Sequence, residues 1–343
     1  MRHRANPVLV DAYRGDRIES RHRGALAVAG PDGRLLLAFG DVETPVYPRS
    51  AVKALQALPL VEGGAAEAFA LDDEELAVAC ASHSGDDVHL RAVQRLLAKA
   101  GLEEGALACG AHWPISEVTT RSLIQDGERP RAIHNNCSGK HAGMLAAAAH
   151  LGLPTHGYER PRHPLQAMIA RILSETCEVK LEAMGIDGCS LPTFAMPLRA
   201  LASGFARFGT GQALPPERSR AARRLMRACF GAPELVAGKD RLDTTVLRGL
   251  PDMAFTKAGA EGMHCAALPE LGVGLALKVD DGAKRGAEYL LAYVLAALIR
   301  AAQSVLASEL EGVQENWRGL RVGRLAPSEE LMSALEDISG KWA

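Results

Sequence analysis

Aromatic residues make up only 4% of this 343-residue chain, so it offers few faces on which nucleic-acid bases stack. A surplus of positive charge is missing too. Lys and Arg number 39 against 41 Asp and Glu, for a formal net charge of −2. No basic field holds a phosphate backbone, and no polybasic patch faces a membrane. Long hydrophobic runs are also lacking. The longest, "YLLAYVLAALI" at 289–299, is about half a membrane span. Near the start, "PVLV" is too short for a signal-peptide core. The location these absences imply is the cytoplasm, with no nucleic-acid and no membrane partner. No two cysteines stand in a Cys-x-x-Cys pair, and the seven cysteines are an odd count. A disulfide framework is therefore not expected. Most of the thiols should be buried, and any that do chemistry should be ligands or nucleophiles.

What is present is an ordinary globular composition, 48% apolar and 23% charged, long enough for one large domain or two lobes. Residues 24–40 read as two strands around the turn "GPDG". "SAVKALQALPL" has Ala51, Ala54, Leu55 and Leu58 on one helical face. More helices follow to about residue 244, with a loop of few structural signals running to about 133. Three short strand-like runs come next, at 252–257, 262–267 and 272–279. They lie close enough in sequence to be antiparallel hairpins. A long apolar helix over 283–306 is fit to cover a sheet. The simplest assembly joins the first hairpin to the last strands in one antiparallel sheet, an α/β (α+β) chain. The sheet lobe then takes 1–49 and 245–343, and a mainly helical lobe takes 50–244.

Four stretches could carry chemistry. Ser50 and Lys53, in the one Ser-x-x-Lys of the chain, are a helical turn apart, so hydroxyl and amine can meet. Such a serine reacts only if the lysine is neutral, which burial and neighbouring cations favour. The plain alternative is a serine N-cap and a solvated lysine. "ACASHSGDDVH" places Ser82, His83 and Ser84 just after an apolar helix, where they line a pocket or merely cap the next helix. "FTKAGAEG" puts Lys257 at a strand end, followed by small residues. It resembles the Lys-Thr/Ser-Gly edge strand of penicillin-recognising enzymes, or else it is a hairpin turn. Lys278 is a rival strand-end lysine in a turn-like setting. "HNNCSGKHAGM" crowds Cys137, Lys140 and His141 before an alanine-rich helix, and "GIDGCS" adds Asp187 and Cys189. Two cysteines from distant loops can hold zinc, although buried thiols are the commoner outcome.

Together, "YPRSAVKALQALPLVEGG", "ASHSGDDVH", "HNNCSGKHAGML", "HPLQ", "GIDGCSLPTFAMPL" and "TKAGAEG" resemble the rhizobial-type (class 3, asparaginase II family) L-asparaginases. They occur in the family's order from about residue 8 onward. The resemblance implies a serine β-lactamase/glutaminase-like fold, an antiparallel sheet flanked by helices plus a helical lobe. It implies hydrolysis of L-asparagine to L-aspartate and ammonia by a homodimer. The implied catalytic residues are Ser50 with Lys53 and Ser82 with Lys257. Arg49, His83 and Asp187 are implied at the substrate, and Cys137, Lys140 and Cys189 as zinc ligands. Two other readings stay open: a glutaminase or other small-amide amidohydrolase of the same fold, and a non-catalytic, metal-containing amino-acid-binding protein.

Overall fold

The computed structural model describes residues 5–339, so the outermost ends of the expected sheet lobe, 1–4 and 340–343, lie outside the described residues. Its strands are β1 (Val8–Arg14), β2 (Arg17–Ala29), β3 (Leu35–Phe39), β4 (Met184–Ile186), β5 (Pro192–Phe194), β6 (Phe255–Ala258), β7 (Met263–Leu268), β8 (Val273–Val279), β9 (Val313–Glu315) and β10 (Arg321–Pro327). The chain divides into two compact units. One comprises Met1–Ala51, Met196–Thr210 and Gly249–Ala343, and the other Val52–Ala195 and Gly211–Arg248.

The first unit is built on an antiparallel sheet of order β6-β7-β8-β2-β1-β10-β9, with β3 also paired to β2. The first hairpin therefore does join the late strands, through a β2–β8 ladder running from Gly24 opposite Val279 to Ala29 opposite Gly274. Three strands of this sheet were not legible. β1 appears in the sequence only as a short apolar run, and β9 and β10 form beyond the last helix that periodicity suggests. The helix Leu198–Thr210 lies on this sheet because Gly274 has no side chain. A β-carbon there would stand 2.2 Å from the Ala202 carbonyl oxygen and 2.4 Å from the Ala206 nitrogen. That contact draws 196–210 into the sheet unit, whereas the sequence reading placed it in the helical lobe. The apolar C-terminal helix spans Lys284–Leu298 and stops where Ile299 turns extended, at φ −124° and ψ 111°. It is shorter than the continuous helix its alanines suggest.

The second unit is mainly helical. Its helix Asp73–Ala79 starts from a capping box in which Asp72 accepts from the Glu75 amide and Glu75 reaches back to the Asp72 amide, satisfying two of the free N–H groups of the first turn. The single helix read in "SAVKALQALPL" is three pieces: a 3-10 turn Arg49–Val52, then Lys53–Gln56, then Leu58–Glu62. Pro59 has no N–H to donate, and it is accommodated in the first turn of the last piece. A helix, Glu117–Gln125, occupies the stretch expected to be a loop. Leu123 is its one buried residue, so it carries no core-facing period to read. No helix among the described residues is long and apolar enough to cross a membrane. All seven cysteines are free and buried.

Candidate active site

Two glycines four apart on one helix create the central cluster. In the helix Ser138–His150, a β-carbon on Gly139 would stand 2.1 Å from the Val78 carbonyl oxygen, and one on Gly143 would stand 2.9 Å from Ala79 Cβ. Lacking side chains there, this helix closes directly on Asp73–Ala79. The residues just after one helix, Ala81 and Ser82, then stand beside the first residues of the other.

The turn into Ser138–His150 is set by asparagine. Asn135 Oδ1 accepts from the Cys137 amide at 2.8 Å, the two-residue reach of an Asx turn. Its Nδ2 donates to the carbonyls of Cys109 (2.9 Å) and Gly110 (3.0 Å). The Asn136 carbonyl accepts the His83 amide at 3.2 Å. Neither asparagine was assigned a role from sequence, although an Asn-Asn pair before a helix start is a readable turn signal.

Lys53, fully buried, reaches into this turn. Its Nζ donates to the Ala81 carbonyl at 2.7 Å and to Ser82 Oγ at 2.9 Å. It also lies 3.4 Å from the Asn136 carbonyl oxygen and 3.1 Å from Cys137 Sγ. Burial pushes its pKa below the usual lysine value, and the Lys140 charge adds to this. The sulfurs of Cys137 and Cys189 pull the other way without reversing it. Lys140 Nζ lies 3.1 Å from Cys189 Sγ. Burial disfavours its charge, but the sulfurs of Cys189 and Cys137 and the Asp187 carboxylate outweigh burial and hold it up. The two thiols are hydrogen-bonded to each other. The hydrogen bond from Cys189, with Lys53 and Lys140 nearby, holds Cys137 well below the ordinary thiol range, and Cys189 moves up. The shifts thus favour the charged forms of Cys137 and Lys140 and disfavour that of Lys53.

Asp187 is half-buried in a tight turn. Its amide donates to the Leu191 carbonyl, the Ser190 amide returns to the Asp187 carbonyl, and Ser190 takes a left-handed φ of 73°. His83 lies beside the Asn136–Ser138 turn. Its ring is fully buried, stacked on His89 at 5.0 Å. Its Nε2 lies 2.9 Å from Ser138 Oγ, which itself donates to the Ile133 carbonyl at 2.8 Å. Those contacts make His83 a support for the Asn136–Ser138 turn. Burial first, then the charge of His89 and Lys53, keep it neutral.

Arg49, Ser50 and Lys257 belong to the first unit. Arg49 sits at φ 52°, in the left-handed region, immediately before Ser50, a conformation that costs a non-glycine residue about 1–3 kcal/mol and needs packing to hold it. Both residues are half-buried. Gly259 supplies close packing here: a β-carbon on it would stand 2.6 Å from the Pro48 carbonyl oxygen and 3.3 Å from the Ala51 nitrogen. The end of the β6 strand, with Lys257, is thereby laid along the turn that carries Ser50. Lys257 is fully buried, with Nζ 3.1 Å from the Ala258 carbonyl oxygen. Lys278, the rival, is only about half-buried and bonds the Val279 carbonyl.

No zinc-type cluster of three His, Cys, Asp or Glu residues exists among the described residues. A metal here needs the lysine as third donor. Cys189 touches both Lys140 and Cys137, and two sulfurs with an amine form a donor set of the right softness for zinc, leaving a fourth position for another ligand.

Solved structures similar to this chain include Mglu in its native form (17% identity, TM-score 0.36, covering 84% of this chain). Others are a β-lactamase from Mycobacterium bovis (15% identity, TM-score 0.37, covering 83% of this chain and 94% of that one) and simvastatin synthase from Aspergillus terreus (12% identity, TM-score 0.41, covering 84% and 91%). The chain spans 61% of the length of Mglu. No curated protein matches it. The family model described as L-asparaginase II matches residues 10–327. That match takes in most of the chain, with every residue of the lysine–thiol cluster inside it, and the protein belongs to the L-asparaginase II family.

Proposed function

We propose that this protein is an amidohydrolase that converts L-asparagine to L-aspartate and ammonia through a serine activated by Lys53. The observation that carries Lys53 as the base is its buried amine, 2.9 Å from Ser82 Oγ, with a pKa that burial lowers from the usual lysine value. A lowered pKa makes the lysine a more available acceptor of a serine proton. Ser50, one helical turn before Lys53, attacks the carboxamide carbon as its proton passes to Nζ. The tetrahedral intermediate then collapses, and the leaving nitrogen takes the proton back and departs as ammonia. Water, deprotonated by the same amine, attacks the aspartyl ester, which frees L-aspartate and regenerates the serine.

The short Lys53–Ser82 contact favours a second reading, in which Ser82 is the nucleophile. Arg49 and Lys257 are cations suited to the substrate carboxylate, and Asp187 is an acid suited to its ammonium. When bound to Cys137, Cys189 and Lys140, zinc supplies a tie between the two turns that carry them and a positive charge beside them. A homodimer is part of the same reading, measurable by light scattering. Glutamine differs from asparagine by one methylene, worth about 1–3 kcal/mol of discrimination, so selectivity is read by assay.

The test is ammonia release from L-asparagine and L-glutamine by the wild type, Ser50→Ala and Ser82→Ala. Loss of several orders of magnitude in Ser50→Ala alone supports the first reading. The same loss in Ser82→Ala alone selects the second. No release by the wild type from either amide leaves an amino-acid-binding protein.

A further inference from the structure

We propose that His112 is a positioning residue for this site, holding the Asn136–Cys137 turn against Lys53. His112 has no signal in the sequence, lying 24 residues before the turn. Its ring nitrogens are assigned by their neighbours. Nδ1 lies 2.6 Å from the Trp113 carbonyl oxygen, which can only accept, so Nδ1 carries the proton. Nε2 accepts from the Asn136 amide at 3.0 Å. The ring is thus the neutral Nδ1–H tautomer, locked by a donor on one side and an acceptor on the other.

What it grips matters to the proposed chemistry, and the inference rests on that reading of Lys53. The Asn136 carbonyl faces Lys53 Nζ at 3.4 Å. Its side-chain Oδ1 lies 3.4 Å from Cys137 Sγ and 3.3 Å from His112 Nε2. Asn136 therefore touches Lys53, the Cys137 sulfur and His112 together.

The loop that carries His112 is itself pinned. The Ser116 amide donates to the Ser84 carbonyl at 2.9 Å. Pro114 packs on Gly85, where φ is +83° and a β-carbon would stand 3.0 Å from Pro114 Cβ. The loop is thus anchored to the segment that bears Ser82, and a rigid anchor is what a supporting side chain needs to hold a reacting group within tenths of an ångström.

The experiment compares the wild type with His112→Ala and His112→Gln. Steady-state kinetics use L-asparagine, hydrogen exchange is followed by mass spectrometry over 134–140, and Tm is recorded for each. His112→Ala should lower kcat about ten- to a hundredfold with KM held within about twofold, as loss of a supporting hydrogen bond does. Exchange over 134–140 should quicken while Tm barely moves. His112→Gln keeps an oxygen to accept the Asn136 amide and should recover part of kcat. The proposal is overturned by wild-type kcat in His112→Ala, by unchanged exchange over 134–140, or by His112→Gln performing no better than His112→Ala. If the wild type releases no ammonia, the reading of Lys53 as base fails on its own. The exchange arm then still decides whether His112 holds the turn.

Discussion

Gly139 lies so near the Val78 carbonyl that a β-carbon on it would stand 2.1 Å from the oxygen. The obstacle is backbone, which cannot swing aside as a side chain can. Gly139→Ala must therefore push the helix Ser138–His150 away from Asp73–Ala79, separating the turn at Cys137 from Ala81 and Ser82. The expected cost is roughly 1–3 kcal/mol, read as a lower urea midpoint. Gly188→Ala is the control, since nothing lies within 4 Å of a β-carbon there. If the two variants have equal midpoints, the glycine contact does not shape the cluster.

Lys53→Met keeps most of the side-chain bulk and removes the amine. The Ala81 carbonyl and Ser82 Oγ lose their donor, and the proposed base is gone. Activity should fall by about 10²–10⁴, the range for loss of a general base, with KM much less affected. The amine is fully buried and its charge is disfavoured, so stability should change far less than activity. Turnover within about threefold of the wild type would remove Lys53 from the mechanism.

How far the sequence revealed this arrangement depends on the type of interaction. The strands of the β2–β8 ladder were legible from apolar runs and turn residues, which are local, whereas their pairing across the chain was expected only as the simplest assembly. That Lys53 and Cys137 share one site rested on the family resemblance, because two residues 84 apart leave no periodic trace. The asparagine turn at 135–137 was legible in principle from local chemistry. His112 was not, since its hold on Asn136 depends on a loop anchored elsewhere. Gly139 and Gly143 sit in a quoted stretch, but four-residue glycine spacing acquires meaning only once a helix is known to pack there. β9 and β10 were missed because they are short and half-exposed, which hides the alternation of a buried strand. The break at Ile299 carries no glycine or proline to mark it.

The pH dependence follows from the direction of the Lys53 shift. Its folded pKa is lowered, by burial first, so kcat/KM should rise with pH along a limb centred below the usual lysine value as the free amine appears. The linked stability has the same sign. The unfolded chain holds the Lys53 proton more readily, so this group's contribution is fully present above the unfolded pKa and is lost as pH falls through the folded pKa. A pH–rate profile and urea midpoints across the same range test both. A rising limb at or above the ordinary lysine range would show that Lys53 is not the base that limits the rate.

Zinc is the last expectation. Two sulfurs and one amine converge from the 137–140 and 187–191 turns, and the donors must lose protons to bind a metal, so affinity should rise with pH. Protein purified without added metal should contain zinc by elemental analysis, and a chelator should release it while exposing two thiols to a colorimetric reagent. Cys137→Ser and Cys189→Ser should each strip the metal. Lys140→Met leaves both sulfurs and should weaken retention without abolishing it. Serine at 137 still sits beside Lys53, so Cys137→Ser also separates the metal from the base. If that variant loses zinc and keeps most of its turnover, the ion braces the two turns and the chemistry belongs to the lysine. If zinc survives in Cys137→Ser and Cys189→Ser alike, the ligands lie elsewhere.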